Sequence, residues 1–134
     1  IEVVIPTTTQ INQPANDSIN SIAMFDDTTI QGSEITSTTL TTTSASTIAT
    51  HAAATYRTIK YLVQLTQGTD YHSTESSLIH DGTTVYITEY GTLFDNASLG
   101  TFNASISSGN ILLQITAGSA TSMAVKVVST AIPV

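Results

Sequence analysis

Cysteine and tryptophan are absent from this 134-residue sequence, and cations are scarce: three Lys and Arg stand against ten Asp and Glu, for a formal net charge of −7. Without cysteine there are no disulfide staples, and no thiolate serves as nucleophile or metal ligand. So few cations leave a surface that repels phosphate, which argues against nucleic acid and anionic membranes as partners. No apolar run reaches the length of a membrane-spanning helix, so helical membrane insertion is not expected. No signal-peptide pattern opens the sequence, and it starts at Ile1 rather than Met; a processed product or a segment of a longer polypeptide is expected. Charged residues of either sign make up only 10% of the total. That scarcity suits a protein packed against copies of itself or against neighbours, because interface cores are depleted of Lys, Glu and Asp.

Threonine and serine fill the polar positions instead. The branched Cβ of threonine restricts χ1, which favours strands over helices. The length fits one domain, or a small domain with an N-terminal extension. A division falls near residue 50. Residues 1–46 read as a Thr/Ser-rich extended segment, a candidate docking or strand-exchange arm. It holds candidate strands at Ile1–Ile5, Ile19–Phe25 and Ser33–Leu40, and turn formers Pro14, Asn16 and Asp17. Residues 47–134 read as a β-sandwich module. Ile59, Tyr61, Val63 and Leu65 alternate with mostly polar neighbours, Leu62 excepted, as in a half-buried strand. Asp81-Gly82 reads as a two-residue hairpin turn, which pairs Leu78 with Val85 and Ile79 with Thr84. Gly91 is expected to end the strand that follows. Phe102, Ala104 and Ile106, then Ile111, Leu113 and Ile115, then Met123, Val125 and Val127 line the faces of three further strands, with Ser107–Asn110 as a second hairpin turn. No window carries a helical stripe with caps. The pattern predicts an all-β fold, an antiparallel β-sandwich of jelly-roll or immunoglobulin-like type with about seven to nine strands.

Candidate chemistry is sparse. His51, His72 and His80, with Asp70, Glu75 and Asp81, invite a metal reading. Strand residues share a face only at even separations, and His72 and Glu75 do not, so the spacing fits no standard site. His80 is expected to be exposed or packed on its hairpin. No Gly-x-Ser-x-Gly elbow is present, so nucleophilic catalysis is not expected. Asp26–Asp27 reads as a turn, and Asp17, Asp26 and Asp27 do not form a calcium loop. No catalytic, cofactor-binding or metal residues are assigned. Tyr56, Tyr71, Tyr86 and Tyr90 are candidate glycan or partner contacts, since amphipathic rings suit flat polar ligands; the competing reading is cross-strand packing. Asn-x-Ser sequons at Asn16, Asn96 and Asn103 matter only where glycosylation machinery exists.

The block Tyr56-Arg57-Thr58-Ile59-Lys60-Tyr61-Leu62-Val63-Gln64-Leu65-Thr66, followed by residues 78–90, by Leu99-Gly100-Thr101-Phe102-Asn103-Ala104-Ser105-Ile106 and by Val125-Lys126-Val127-Val128, resembles a module at the C-terminal end of structural proteins of marine tailed phages, including cyanophages. Those proteins are described as virion structural or tail-fibre-like. The resemblance covers about residues 50–134 and carries no catalytic residues. It implies a non-enzymatic virion building block in a tail, fibre or capsid-decoration position, whose partners are copies of itself and other virion proteins. The rival reading is a carbohydrate-binding adhesin that contacts a host surface glycan through the tyrosines.

Overall fold

The computed structural model describes residues 33–134. The strands expected at Ile1–Ile5 and Ile19–Phe25, the turn around Pro14, Asn16 and Asp17, and the Asp26–Asp27 pair lie outside the described residues. Among the described residues the strands are β1 (Ser33–Leu40), β2 (Ser46–Ala52), β3 (Tyr56–Gln67), β4 (Asp70–His80), β5 (Val85–Phe94), β6 (Gly100–Ser107), β7 (Asn110–Ala117) and β8 (Met123–Pro133). They form a five-stranded sheet, ordered β1-β8-β3-β4-β5, and a three-stranded sheet, ordered β2-β7-β6. Every pairing is antiparallel. The expected all-β sandwich is the fold observed.

Alternation builds the core. Ile59, Tyr61, Val63 and Leu65 of β3 and Met123, Val125 and Val127 of β8 meet Ile111, Leu113 and Ile115 of β7 in one cluster. Each fully buried aliphatic side chain of this kind contributes roughly 1.5–3 kcal/mol. Leu62 and Lys126 face outward, as the period of two requires.

Three observations stand beside the expectations. First, the expected strand Ser33–Leu40 is present as β1 and pairs along its length with Met123–Thr130 of β8, within the compact unit Ser33–Val134. Its alternation is weak because few of its side chains meet the core: Leu40 is buried and Thr36 half-buried, while Glu34 to Thr39 are otherwise exposed. Second, the β4–β5 hairpin pairs His80 with Val85, Ile79 with Tyr86 and Leu78 with Ile87, two residues away from the register of a two-residue turn. The loop spans residues 81–84. Asp81 Oδ1 accepts the Thr83 and Thr84 amides at 2.9 and 2.7 Å, and the Asp81 amide donates to the Thr84 carbonyl at 3.1 Å. A carboxylate that captures two amides stabilises this wider loop. Because the shift is even, each residue keeps its face. Third, Gly91 does not end β5. It takes φ 63°, and Gly91 and Thr92 together oppose Thr74 as a β-bulge. The expected turn at Ser107–Asn110 is present and is the two-residue one, with Ser108 at φ 51° and Gly109 at φ 78°.

Candidate functional site

Odd-numbered side chains of β4 point away from the three-stranded sheet, so Tyr71, Ser73, Glu75, Ser77 and Ile79 lie on the outer face of the wide sheet. In β5, Tyr86 lies opposite Ile79, Tyr90 opposite Glu75 and Leu93 opposite Ser73. Tyr71, Tyr86 and Tyr90 are therefore on one exposed face. The Tyr86 hydroxyl donates to Asp81 Oδ2 at 3.1 Å, and that hydrogen bond to a carboxylate raises the phenol's pKa. The Tyr90 hydroxyl lies 3.2 Å from Ser77 Oγ, and Lys60 Nζ stands 5.9 Å from its ring centre while pairing with Glu75 at 3.5 Å. Tyr56 is placed elsewhere. It is half-buried against the core, with its ring edge-on to His51 at 5.6 Å.

At one end of this face is a groove of about 450 Å³, lined by Gln64 and Thr66 of β3, Tyr71 and Ser73 of β4, and Leu93, Phe94 and Asp95 after the bulge, with His72 at its base. The extra residue at Gly91–Thr92 sets which β5 residues reach it. Asp95 then closes the end: its amide donates to the Tyr71 carbonyl at 3.2 Å, and its Oδ1 accepts the Tyr71 amide at 2.9 Å. Tyr71 and Leu93 expose large apolar surfaces here, while Phe94 pairs with His72 and sets its ring 5.4 Å from that buried imidazole on the inner face. Of these residues only Tyr71 is marked by the sequence. The signal for the others is an apolar pair followed by Asp, just beyond a glycine that reads as a strand end.

The histidines are placed apart, and among the described residues no three His, Cys, Asp or Glu side chains gather to hold a metal. His80 is buried rather than exposed. Its Nε2 lies 2.6 Å from the Tyr56 carbonyl, and its Nδ1 accepts the Gly82 amide at 2.9 Å, which ties β3 to the hairpin loop. His72 Nδ1 accepts the Leu99 amide at 3.0 Å, linking β4 to the segment before β6. His51 Nε2 faces Glu34 at 3.7 Å. Burial lowers the pKa of both His51 and His72, with Glu34 and Glu89 respectively opposing it in part. The pairings also align a polar row across the inner face: Glu34, Ser129, Tyr61, Ser76 and Glu89, one from each strand. The Ser129, Tyr61 and Ser76 hydroxyls are buried without a hydrogen-bond partner, and burial raises the Tyr61 phenol's pKa.

No protein-family model matches the chain, and no curated protein is a significant match. Solved structures do match. The tailspike protein of Acinetobacter phage vB_ApiP_P1 aligns at TM-score 0.52 and 18% identity, over 97% of this chain and 34% of that one. The tailspike of Acinetobacter baumannii phage AM24 aligns at 0.43 and 9% identity, over 92% of this chain and 31% of that one. That of A. baumannii bacteriophage Fri1, a capsular polysaccharide depolymerase, aligns at 0.44 and 14%, over 91% and 26%. The chain thus spans about a third of the length of the first of these, and at such identities the likeness is one of fold: this β-sandwich is built like part of a phage tailspike.

Proposed function

We propose that the chain is a non-enzymatic building and display module of a phage tail protein, carried on the virion and acting in multiple copies. The observation that carries this reading is the alignment of nearly the whole chain with a third of a tailspike. The outer face supports it. Ile35 of β1, Val128 of β8 and Leu62 of β3 lie side by side across three strands, and all are exposed. Ile132 and Ile79 flank Thr58 in a parallel row. A contiguous apolar stripe on a chain with so little charge fits an interface between copies. The described histidines support a structural role, because His72 and His80 hold backbone groups in place. The narrower placement, in tail-fibre-like or capsid-decoration proteins of marine tailed phages including cyanophages, is carried only by the resemblance of residues 56–90 and 99–128.

The test is the oligomeric state of the full chain by light scattering. The expected result is a defined multimer that dissociates in Leu62→Glu and Val128→Glu, with the far-ultraviolet circular dichroism of a sheet retained. A wild-type monomer at about 100 μM, weaker than the affinities of ordinary stable interfaces, would overturn assembly through this face.

A further inference from the structure

We infer that the groove between Tyr71, Leu93 and Asp95 is a binding subsite for a neutral pyranose sugar. This goes beyond the assembly reading and does not depend on it: the apolar stripe runs over β1, β8 and β3, while the groove lies at the β3–β5 end of the sheet. Its residue types match the chemistry of a sugar ring. Tyr71 and Leu93 offer an apolar floor and wall, 54% and 71% exposed, against which the C–H face of a pyranose can stack. Around them stand Asp95, Gln64, Ser73 and Thr66, which supply the carboxylate, amide and hydroxyl groups that fix vicinal hydroxyls. Asp95 is oriented by the hydrogen bond from the Tyr71 amide to its Oδ1, and Oδ2 has no partner among the described residues. The floor consists of three strands already paired with one another. The groove opens on the outer face of those strands, where side chains stand out from the sheet while the main-chain groups point along it, so a ligand seated in it is held by side chains. Among the described residues that line the groove, the Asp95 carboxylate is the only charged group, and it disfavours anionic sugars. Lys126 neighbours Gln64 on β8 but lies outside the lining.

The experiment is amide chemical-shift mapping on the full, isotope-labelled chain, titrated separately with galactose, N-acetylglucosamine, glucuronate and trialanine. A neutral sugar is expected to shift the amides of residues 71–73 and 93–95, with a dissociation constant on the order of millimolar, as befits a ligand of so few atoms. Tyr71→Ala is expected to weaken binding about three- to tenfold, the range of one aromatic contact. Asp95→Ala should abolish it, and Tyr86→Ala, on the same face but outside the groove, should leave it unchanged. Tyr71 and Leu93 are exposed, so their substitution leaves the core intact; the unperturbed spectrum of each variant verifies its fold. Shifts only with glucuronate or trialanine, no shifts at these amides, or equal binding by Tyr71→Ala would each overturn the assignment.

Discussion

His72 shows how a polar side chain becomes part of a core. It lies among apolar neighbours because β4 alternates, and its burial is tolerated because Nδ1 accepts the Leu99 amide. That bond requires the neutral ring, and burial lowers the pKa of both His72 and His51 from 6.5. The unfolded chain therefore binds protons that the folded chain resists. Below about pH 6.5 the unfolded state holds more protons, so stability falls as pH drops through this window and levels off only below the folded-state values. Thermal melts between pH 7.5 and about pH 5 should show this fall, and His72→Asn, whose carbonyl can accept the same amide, should make it shallower, leaving the share that belongs to His51. A pH-independent melting temperature would refute the account. Gly100 is set by a different constraint. A Cβ there would lie 2.9 Å from the Thr116 carbonyl oxygen and 3.1 Å from two Ile115 side-chain atoms. Gly100→Ala should destabilise the fold by about 1–3 kcal/mol, as overpacking does, measurable by denaturant unfolding.

At the scale of strands and turns, the elements most legible in the sequence are those with one face fully in the core. β3, β7 and β8 alternate cleanly because every second side chain is excluded from water. β1 and the far end of β5 were harder to read for a common reason: among the described residues they are the outermost strands of the wide sheet, with most side chains in solvent, so pairing with β8 or β4 decides their conformation. The hairpin registers turned on side-chain chemistry that dipeptide rules do not contain. Asp81-Gly82 looks like a tight turn, but the Asp81 carboxylate holds a wider loop. Ser108-Gly109 looks less favourable and is the tight one, with both residues at positive φ. The candidate site was legible only in part. Tyr71, Tyr86 and Tyr90 share the outer face, but Tyr56 turns to the core, and Leu93 and Asp95 enter the groove through a bulge that shifts register by one residue. The Ser108–Gly109 turn yields its own test. Asn tolerates the left-handed region better than Ser, so Ser108→Asn should stabilise by about 0.5 kcal/mol, while Gly109→Ala should cost about 1 kcal/mol. Opposite signs in urea midpoints are expected, and a loss from Ser108→Asn would contradict the turn assignment.

Among the described residues the two sheets are unequal, five strands against three, so β1 and β5, the outermost described strands of the wide sheet, have inner faces only partly covered. Both edges carry a glutamate in the same inner row, Glu34 on β1 and Glu89 on β5. A charge pointing inward from an edge strand opposes docking of a further strand, since the added strand would bury it. On β5 the bulge at Gly91 reinforces this by interrupting the flat ladder. The molecule thus presents apolar side chains on its outer face while its edges are guarded, which favours association through faces and disfavours open-ended edge pairing. Glu89 tests the idea because its second role is small: its Oε2 accepts the Thr74 hydroxyl at 2.8 Å, but Thr74 also lies 2.7 Å from the Thr92 hydroxyl. Glu89→Val should therefore lower folding stability by only about 1 kcal/mol and yet sharply reduce the soluble fraction, with thioflavin-positive aggregates growing on storage. Glu89→Gln keeps a hydrogen-bonding side chain at the edge and should fall between Val and the wild type. If Glu89→Val remains as soluble as the wild type at the same concentration, the edge glutamate is not what holds further strands away.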